Sequence, residues 1–175
     1  MRIDNAISFL LETKNKEGSD YIYLKSILSR FYTIRGVGIN INYIFLNGKG
    51  NYNKINNKIN KYKNYYQGQT QFIYLIDVDN KNIKYDQAQM NIEIKNYCAR
   101  YKYELIWFNR TIEEVLTGNI VENNKTKITL GYFISDKVCD IEKNNLYISD
   151  INRIDIKQSN ILYILDKYLP NNNII

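Results

Sequence analysis

The chain has 175 residues, 45% of them hydrophobic and 24% charged, enough for one domain with a real buried core and too apolar for a disordered tail. Its net charge of +6 favours an anionic partner, although the abundance of Lys, Asn, Ile and Tyr is also what AT-rich codons produce. Histidine is absent, which excludes Ser-His-Asp and Cys-His nucleophile systems, HEPN-type and HNH-type nucleases, HD phosphohydrolases and His-ligated zinc enzymes.

The first apolar run, Ala6 to Leu11, is short and ends in Glu12, and it reads as a buried strand followed by a polar loop from Thr13 to Gly18. A helix follows, capped by Ser19, with Tyr21, Leu24, Ile27, Leu28 and Phe31 at helical spacing. A second strand, Ile39 to Leu46, runs into the turn Asn47-Gly48-Lys49-Gly50-Asn51. The next helix aligns Ile55, Ile59, Tyr62 and Tyr66 on one stripe and Lys54, Lys58 and Lys61 on its neighbour. The third strand, Phe72 to Ile76, leads directly into Asp77-Val78-Asp79-Asn80. A helix from about Asp86 gathers Met90, Ile94, Tyr97, Cys98 and Tyr101; a fourth strand spans Glu104 to Phe108, and a helix begins within Asn109 to Leu116.

Alternating strands and helices of this kind predict a three-layer α/β fold, Rossmann-like, with a mostly parallel four-stranded sheet. Residues 1–175 are expected to form one domain, with a core over 6–118 and a C-terminal extension over 119–175. Within the extension, Lys127 to Ser135 reads as strand or helix, Leu146 to Ile156 as extended, and Asn160 to Leu169 as a helix stopped by Pro170.

Ligands of parallel sheets bind at the carboxyl ends of the strands, where the acidic strand endings would lie. Asp77 and Asp79, two apart, point to the same side of an extended chain. Carboxylates that close repel unless a cation neutralises them or one keeps its proton, and an all-oxygen pair suits Mg²⁺ or Mn²⁺. A solvated loop start is the plainer alternative. Glu12 would face the pair if the first and third strands are neighbours. Lys49, on the same edge, is placed to hold a phosphate. Lys54, Lys58 and Lys61, with Lys63, Tyr65 and Tyr66, would track a nucleic-acid backbone and stack its bases, or else form an ordinary solvated helix face.

This pattern resembles the Toprim domain: a strand ending in Glu, a helix, a strand ending in a Gly-containing turn, and a strand ending in Asp-x-Asp. Such domains occur in topoisomerases, primases, recombination proteins and nucleases of the overcoming-lysogenisation-defect class. The sequence is most similar to the small RloB-like defence Toprims, in which the next strand precedes Asn-Pro-x-Phe-Glu-x-Trp-Leu. Here Asn109-Arg110-Thr111-Ile112-Glu113-Glu114-Val115-Leu116 keeps the Asn, an apolar residue, the Glu and the Leu but lacks the Pro and Trp. The Gly that usually follows the strand-one Glu is also missing; the nearest is Gly18, which implies a longer, looser loop.

The resemblance covers about residues 6–118 and implies a Mg²⁺-dependent endonuclease, a phosphodiester hydrolase of prokaryotic anti-phage defence. It implies Glu12, Asp77 and Asp79 as residues that hold the metal, with Glu12 also serving as acid or base, and Glu113 as a further acidic ligand. It also implies a partner ATPase, or, as the alternative, a catalytically degenerate subunit that binds nucleic acid or a phage protein and acts through that partner. Independently of the resemblance, Thr111 and Glu114 fit a capping box. Gly48-Lys49-Gly50 lacks the spacing of a phosphate-binding loop, so the chain itself is not expected to hydrolyse ATP.

A glycosyltransferase would need more chain, and a haloacid-dehalogenase phosphatase would need its Asp-x-Asp near the N-terminus. No apolar stretch reaches the roughly 18 residues of a membrane span. Met1-Arg2-Ile3-Asp4-Asn5 does not resemble a secretory leader, and two cysteines, Cys98 and Cys139, build no disulfide framework. The expected location is therefore cytoplasmic, with no membrane partner and a homo-oligomer as an open possibility.

Overall fold

Six of the seven residues of the first strand, β1 (Asn5–Leu11), are buried, as a strand covered on both faces requires. A computed structural model describes residues 5–78, 85–109, 111–117, 127, 131, 143–149 and 158–172. The elements in order are β1, α1 (Ser19–Phe31), β2 (Ile39–Phe45), a 3₁₀ turn (Lys49–Asn51), α2 (Asn56–Tyr65), β3 (Thr70–Asp77), α3 (Tyr85–Tyr101), β4 (Glu104–Phe108), α4 (Ile112–Thr117), a second 3₁₀ turn (Lys143–Leu146) and α5 (Ile161–Leu165).

The four strands form one sheet in the order β2-β1-β3-β4, and every pairing is parallel. β1 and β3 are neighbours, with Leu11 opposite Leu75, so the condition that brings Glu12 beside Asp77 is met. The chain leaves β1 to one side to make β2, then crosses to the other side for β3 and β4. The gap between the carboxyl ends of β1 and β3 is thus the point where the strand order reverses, the usual ligand crevice of open α/β sheets.

Side-chain alternation along the strands divides the core in two. Phe9 and Leu11 join Ile73, Leu75, Ile106 and Phe108 under α1, α4 and α5. Leu10 joins Phe72, Tyr74, Ile76 and Trp107 under Ile59 of α2 and Ile94 and Cys98 of α3. Leu146, Ile161, Leu162 and Leu165 of the C-terminal segment belong to the first of these clusters.

Several local expectations change. The residue before α1 is Gly18, and no side chain caps that helix, so Ser19 is its first residue and not its cap. Lys54 precedes Ile55, which stands at the N-terminus of α2, so it does not share the stripe of Lys58 and Lys61. α5 is shorter than the expected 160–169 helix, and Leu146 closes a 3₁₀ turn where an extended segment was expected to begin. Most of 127–135 and of 147–156 lies outside the described residues, as do Asp79 and Cys139. Among the described residues, no helix is long and apolar enough to cross a membrane.

Candidate metal centre

Glu12 is the first residue beyond β1, and its carboxylate Oε1 accepts the backbone N–H of Asp77 at 2.9 Å. That bond crosses the gap between the two strand ends and fixes the glutamate over the crevice. Asp77, the last residue of β3, uses Oδ1 to accept the N–H of Ile112 at 3.1 Å. The aspartate therefore also binds one of the backbone donors that the first turn of α4 cannot satisfy internally. Thr111 supplies a second, its Oγ1 accepting the N–H of Glu114 at 3.3 Å, the Thr111 half of the expected capping box.

Lys49 reaches this edge because of its turn. Asn47 (φ 57°) and Gly48 (φ 106°) both take positive φ, and Gly48 holds an extended left-handed conformation essentially reserved for glycine. The Gly48 N–H donates to the Glu12 carbonyl at 2.7 Å, tying the turn to the end of β1. The Lys49 ammonium donates to the Asp77 carbonyl and, at 3.1 Å, to Asn91 Oδ1, and stands 4.0 Å from Glu12 Oε1. With only 10% of its side chain exposed, Lys49 holds the protein's own groups together in this conformation.

Glu113 is 1% exposed, and its Oε1 has no hydrogen-bond partner among the described residues. An ionised carboxylate taken out of water without a partner is costly, so its burial near Asp20 calls for a compensating group. Glu114, 2% exposed, is buried as deeply.

Sequence reasoning missed two residues. Asp20, in the first turn of α1, accepts the Thr13 N–H through Oδ2 at 3.1 Å. Burial, followed by the nearby charge of Glu113, raises its carboxyl from 3.8 to about 6, against backbone hydrogen bonds that pull the other way. The signal was an acid at the start of the helix that follows the Glu12 loop. Asn91 of α3 accepts from Lys49 and donates to the Val78 carbonyl at 2.8 Å, holding the exit of β3. Nothing in the spacing of α3 marks it.

The Glu12 loop is long, as the missing glycine implied, but it is not loose. Asp20 pins Thr13, and a Cβ on Gly18 would stand 1.5 Å from Thr13 Oγ1, so the loop closes on α1 only with glycine there.

Glu12, Asp77 and Lys49 are joined at this edge, and Asp20 lies within electrostatic reach of Glu113. Oxygen donors of this kind are the ligands that a hard cation such as Mg²⁺ takes. Among the described residues, no group of three or more His, Cys, Asp or Glu side chains is arranged to hold a metal ion. Asp79, the second half of the Asp-x-Asp, lies outside them.

The basic residues are elsewhere. Lys54, Lys58, Lys61 and Lys63 are exposed, as is Tyr65 at 73%, while Tyr66 is half-buried and donates its hydroxyl to Asn42 Oδ1 at 2.8 Å. The Lys63 ammonium lies over the rings of Tyr103 and Phe72, 5.4 and 5.7 Å from their centroids. Compared with protein-family models, with curated proteins and with solved structures, the chain matches none of them.

Proposed function

We propose that this protein is a Mg²⁺-dependent, Toprim-type nuclease that cleaves phosphodiester bonds of nucleic acid, in keeping with a role in prokaryotic anti-phage defence. The observation that carries the reading is the Glu12–Asp77 hydrogen bond across the strand-order reversal, with Asp77 also binding the N–H of Ile112 and the buried Oε1 of the next residue, Glu113, left without a hydrogen bond from the described residues. Glu12, Asp77, Asp79 and Glu113 would hold the ion. When bound, Mg²⁺ would neutralise the phosphate and the charge that develops on cleavage. Glu12 would move the proton as acid or base, its position set by the Asp77 N–H. Lys49 would balance the acids and turn toward phosphate when substrate enters. Lys54, Lys58, Lys61 and Lys63, with Tyr65 and Tyr66, would guide the strand.

One observation favours a second reading, a catalytically degenerate subunit acting through a partner such as an ATPase. Lys49 already supplies a cation within 4.0 Å of Glu12, so the edge has a built-in counter-charge.

Incubating the purified chain with duplex and single-stranded DNA and RNA, in Mg²⁺, Mn²⁺ or EDTA, separates the two. Metal-dependent cleavage that Asp77→Asn abolishes supports the nuclease. Binding without cleavage in either metal supports the degenerate subunit.

A further inference from the structure

The two outer edges of the sheet are finished differently. β4 is closed by residues 158–160. The Asn160 side chain stands in for a neighbouring strand, its Oδ1 accepting the Trp107 N–H at 2.9 Å and its Nδ2 donating to the Leu105 carbonyl at 2.8 Å. Ser159 Oγ donates to the Trp107 carbonyl at 2.7 Å, and the Asn109 N–H donates to the Gln158 carbonyl at 2.9 Å. Ser159 also forms an antiparallel bridge with Phe108.

At the opposite edge, β2 pairs with β1 through all seven of its residues, and among the described residues no segment pairs with its outer side. Edge strands of monomers are usually blunted by lysine, proline, a bulge or shortness. Ile39-Asn40-Ile41-Asn42-Tyr43-Ile44-Phe45 carries no charge and no proline, and its register with β1 is unbroken. Ile39, Ile41, Tyr43 and Phe45 lie on one face and are only half-buried, with Tyr21 and Ile34 beside them at the margin of the first core cluster.

We propose that this edge is the interface with a second copy of the chain, β2 meeting β2 antiparallel across a two-fold axis to make one continuous eight-stranded sheet. In that arrangement no charged side chain meets another, and the apolar face of Ile39, Ile41, Tyr43 and Phe45 continues across the axis. Centred on Asn42, the strand pairs all seven residues: Ile39 with Phe45, Asn40 with Ile44, Ile41 with Tyr43, and Asn42 with its own copy. Directly opposite residues share a face, so the half-buried apolar side chains of each copy extend the other's cluster. A two-fold contact of this kind closes after two subunits, whereas a parallel, head-to-tail addition would not. The inference does not rest on the proposed nuclease activity, and the metal centre lies at the strand ends, away from the outer side of β2.

Sedimentation equilibrium on the full chain should show a dimer at micromolar concentration. Asn42→Cys should form a 42–42 disulfide on mild oxidation, since opposite residues have Cα atoms about 4.5–5.5 Å apart, within disulfide reach. Asn40→Cys should not, because its two copies would be offset by about 14 Å along the strands. Asn42→Asp keeps an acceptor for the Tyr66 hydroxyl but sets two carboxylates against each other on the axis. It should weaken the dimer about tenfold or more while its circular dichroism stays native. A monomer at every concentration would overturn the proposal, as would a dimer that Asn42→Cys cannot crosslink. Strong hydrogen-exchange protection of all the β2 amides in a monomeric sample would overturn it too, because another part of the same chain would then cover the edge.

Discussion

The carboxyl edge of the sheet and the outward face of α2 both carry clustered charge, yet they are held in opposite ways. At the carboxyl edge, four charged groups are bonded to elements other than their own: Glu12 to β3, Asp77 to α4, Asp20 to the loop after β1, Lys49 to β3 and α3. Glu113 is buried, with its Oε1 given no such bond by the described residues. On α2, Lys58 and Lys61 face solvent, and among the described residues Lys63 is engaged, over two rings. Burying a charge is costly, so a fold that gathers acids in one half-buried place needs a reason beyond packing. A lysine on a wet helix costs almost nothing and identifies no function by itself.

The largest effect expected from that difference is at Asp77. Asp77→Asn keeps an Oδ1 acceptor for the Ile112 N–H, so α4 should stay docked and the melting temperature should hold or rise. Metal-dependent cleavage should fall at least about a hundredfold, the scale of losing a principal charge-stabilising group. Unfolding of this variant would mean that the carboxylate is chiefly structural.

Next in size is the contrast between two adjacent glutamates. Glu113→Gln should lower metal-dependent activity about tenfold or more, as loss of an auxiliary ligand would, while stability is kept or improved because a buried charge is removed. Glu114→Gln should be mild in both assays, since Gln also completes a capping box. The reverse pattern would assign the catalytic position to Glu114.

A smaller effect should appear in the pH dependence of stability. Burial and the Glu113 charge raise the Asp20 carboxyl to about 6 in the native state, above an unfolded value of about 3.9. Between those values the native state holds a proton that the unfolded chain has lost, so this group makes stability fall as pH rises from about 4 to about 6. Urea midpoints of wild type and Asp20→Asn, compared across that window, should differ by this slope. Parallel curves would mean that Asp20 is as well solvated as an ordinary surface aspartate.

The smallest change in stability belongs to α2. Converting Lys54, Lys58 and Lys61 to Gln should leave stability within about 0.5 kcal/mol, as surface substitutions usually do. If these lysines meet phosphates, the slope of log affinity against log salt should flatten by about 2 to 3 units on duplex DNA, close to 0.9 per contact. An unchanged slope would return them to solvent.

β1 and β3 were legible because they are largely buried and read as nearly continuous apolar runs, and β2 because its apolar residues alternate with asparagine; Glu104–Phe108 was found to the residue. Glu12 and Asp77 were legible for the same reason, since a charge that ends such a run must sit at the strand tip. The start of α1 was not, because Gly18 is required there by the close approach of Thr13, a tertiary contact that no local spacing encodes. Asp20 and Asn91 were invisible on similar grounds. Each occupies an ordinary helical position and acquires a role only when another element arrives beside it. The lysine stripe was over-read, since helical periodicity was extended to Lys54, one residue before Ile55 at the helix N-terminus.

The most direct test of the central claim is a crystal structure of the protein grown with Mn²⁺, the ion located by its anomalous scattering. The account predicts a peak at the carboxyl ends of β1 and β3, in contact with Asp77 and Asp79 and bordered by Glu12 and Glu113, that disappears in Asp77→Asn crystals. A peak only elsewhere, or none at an Mn²⁺ concentration that supports cleavage, would contradict it.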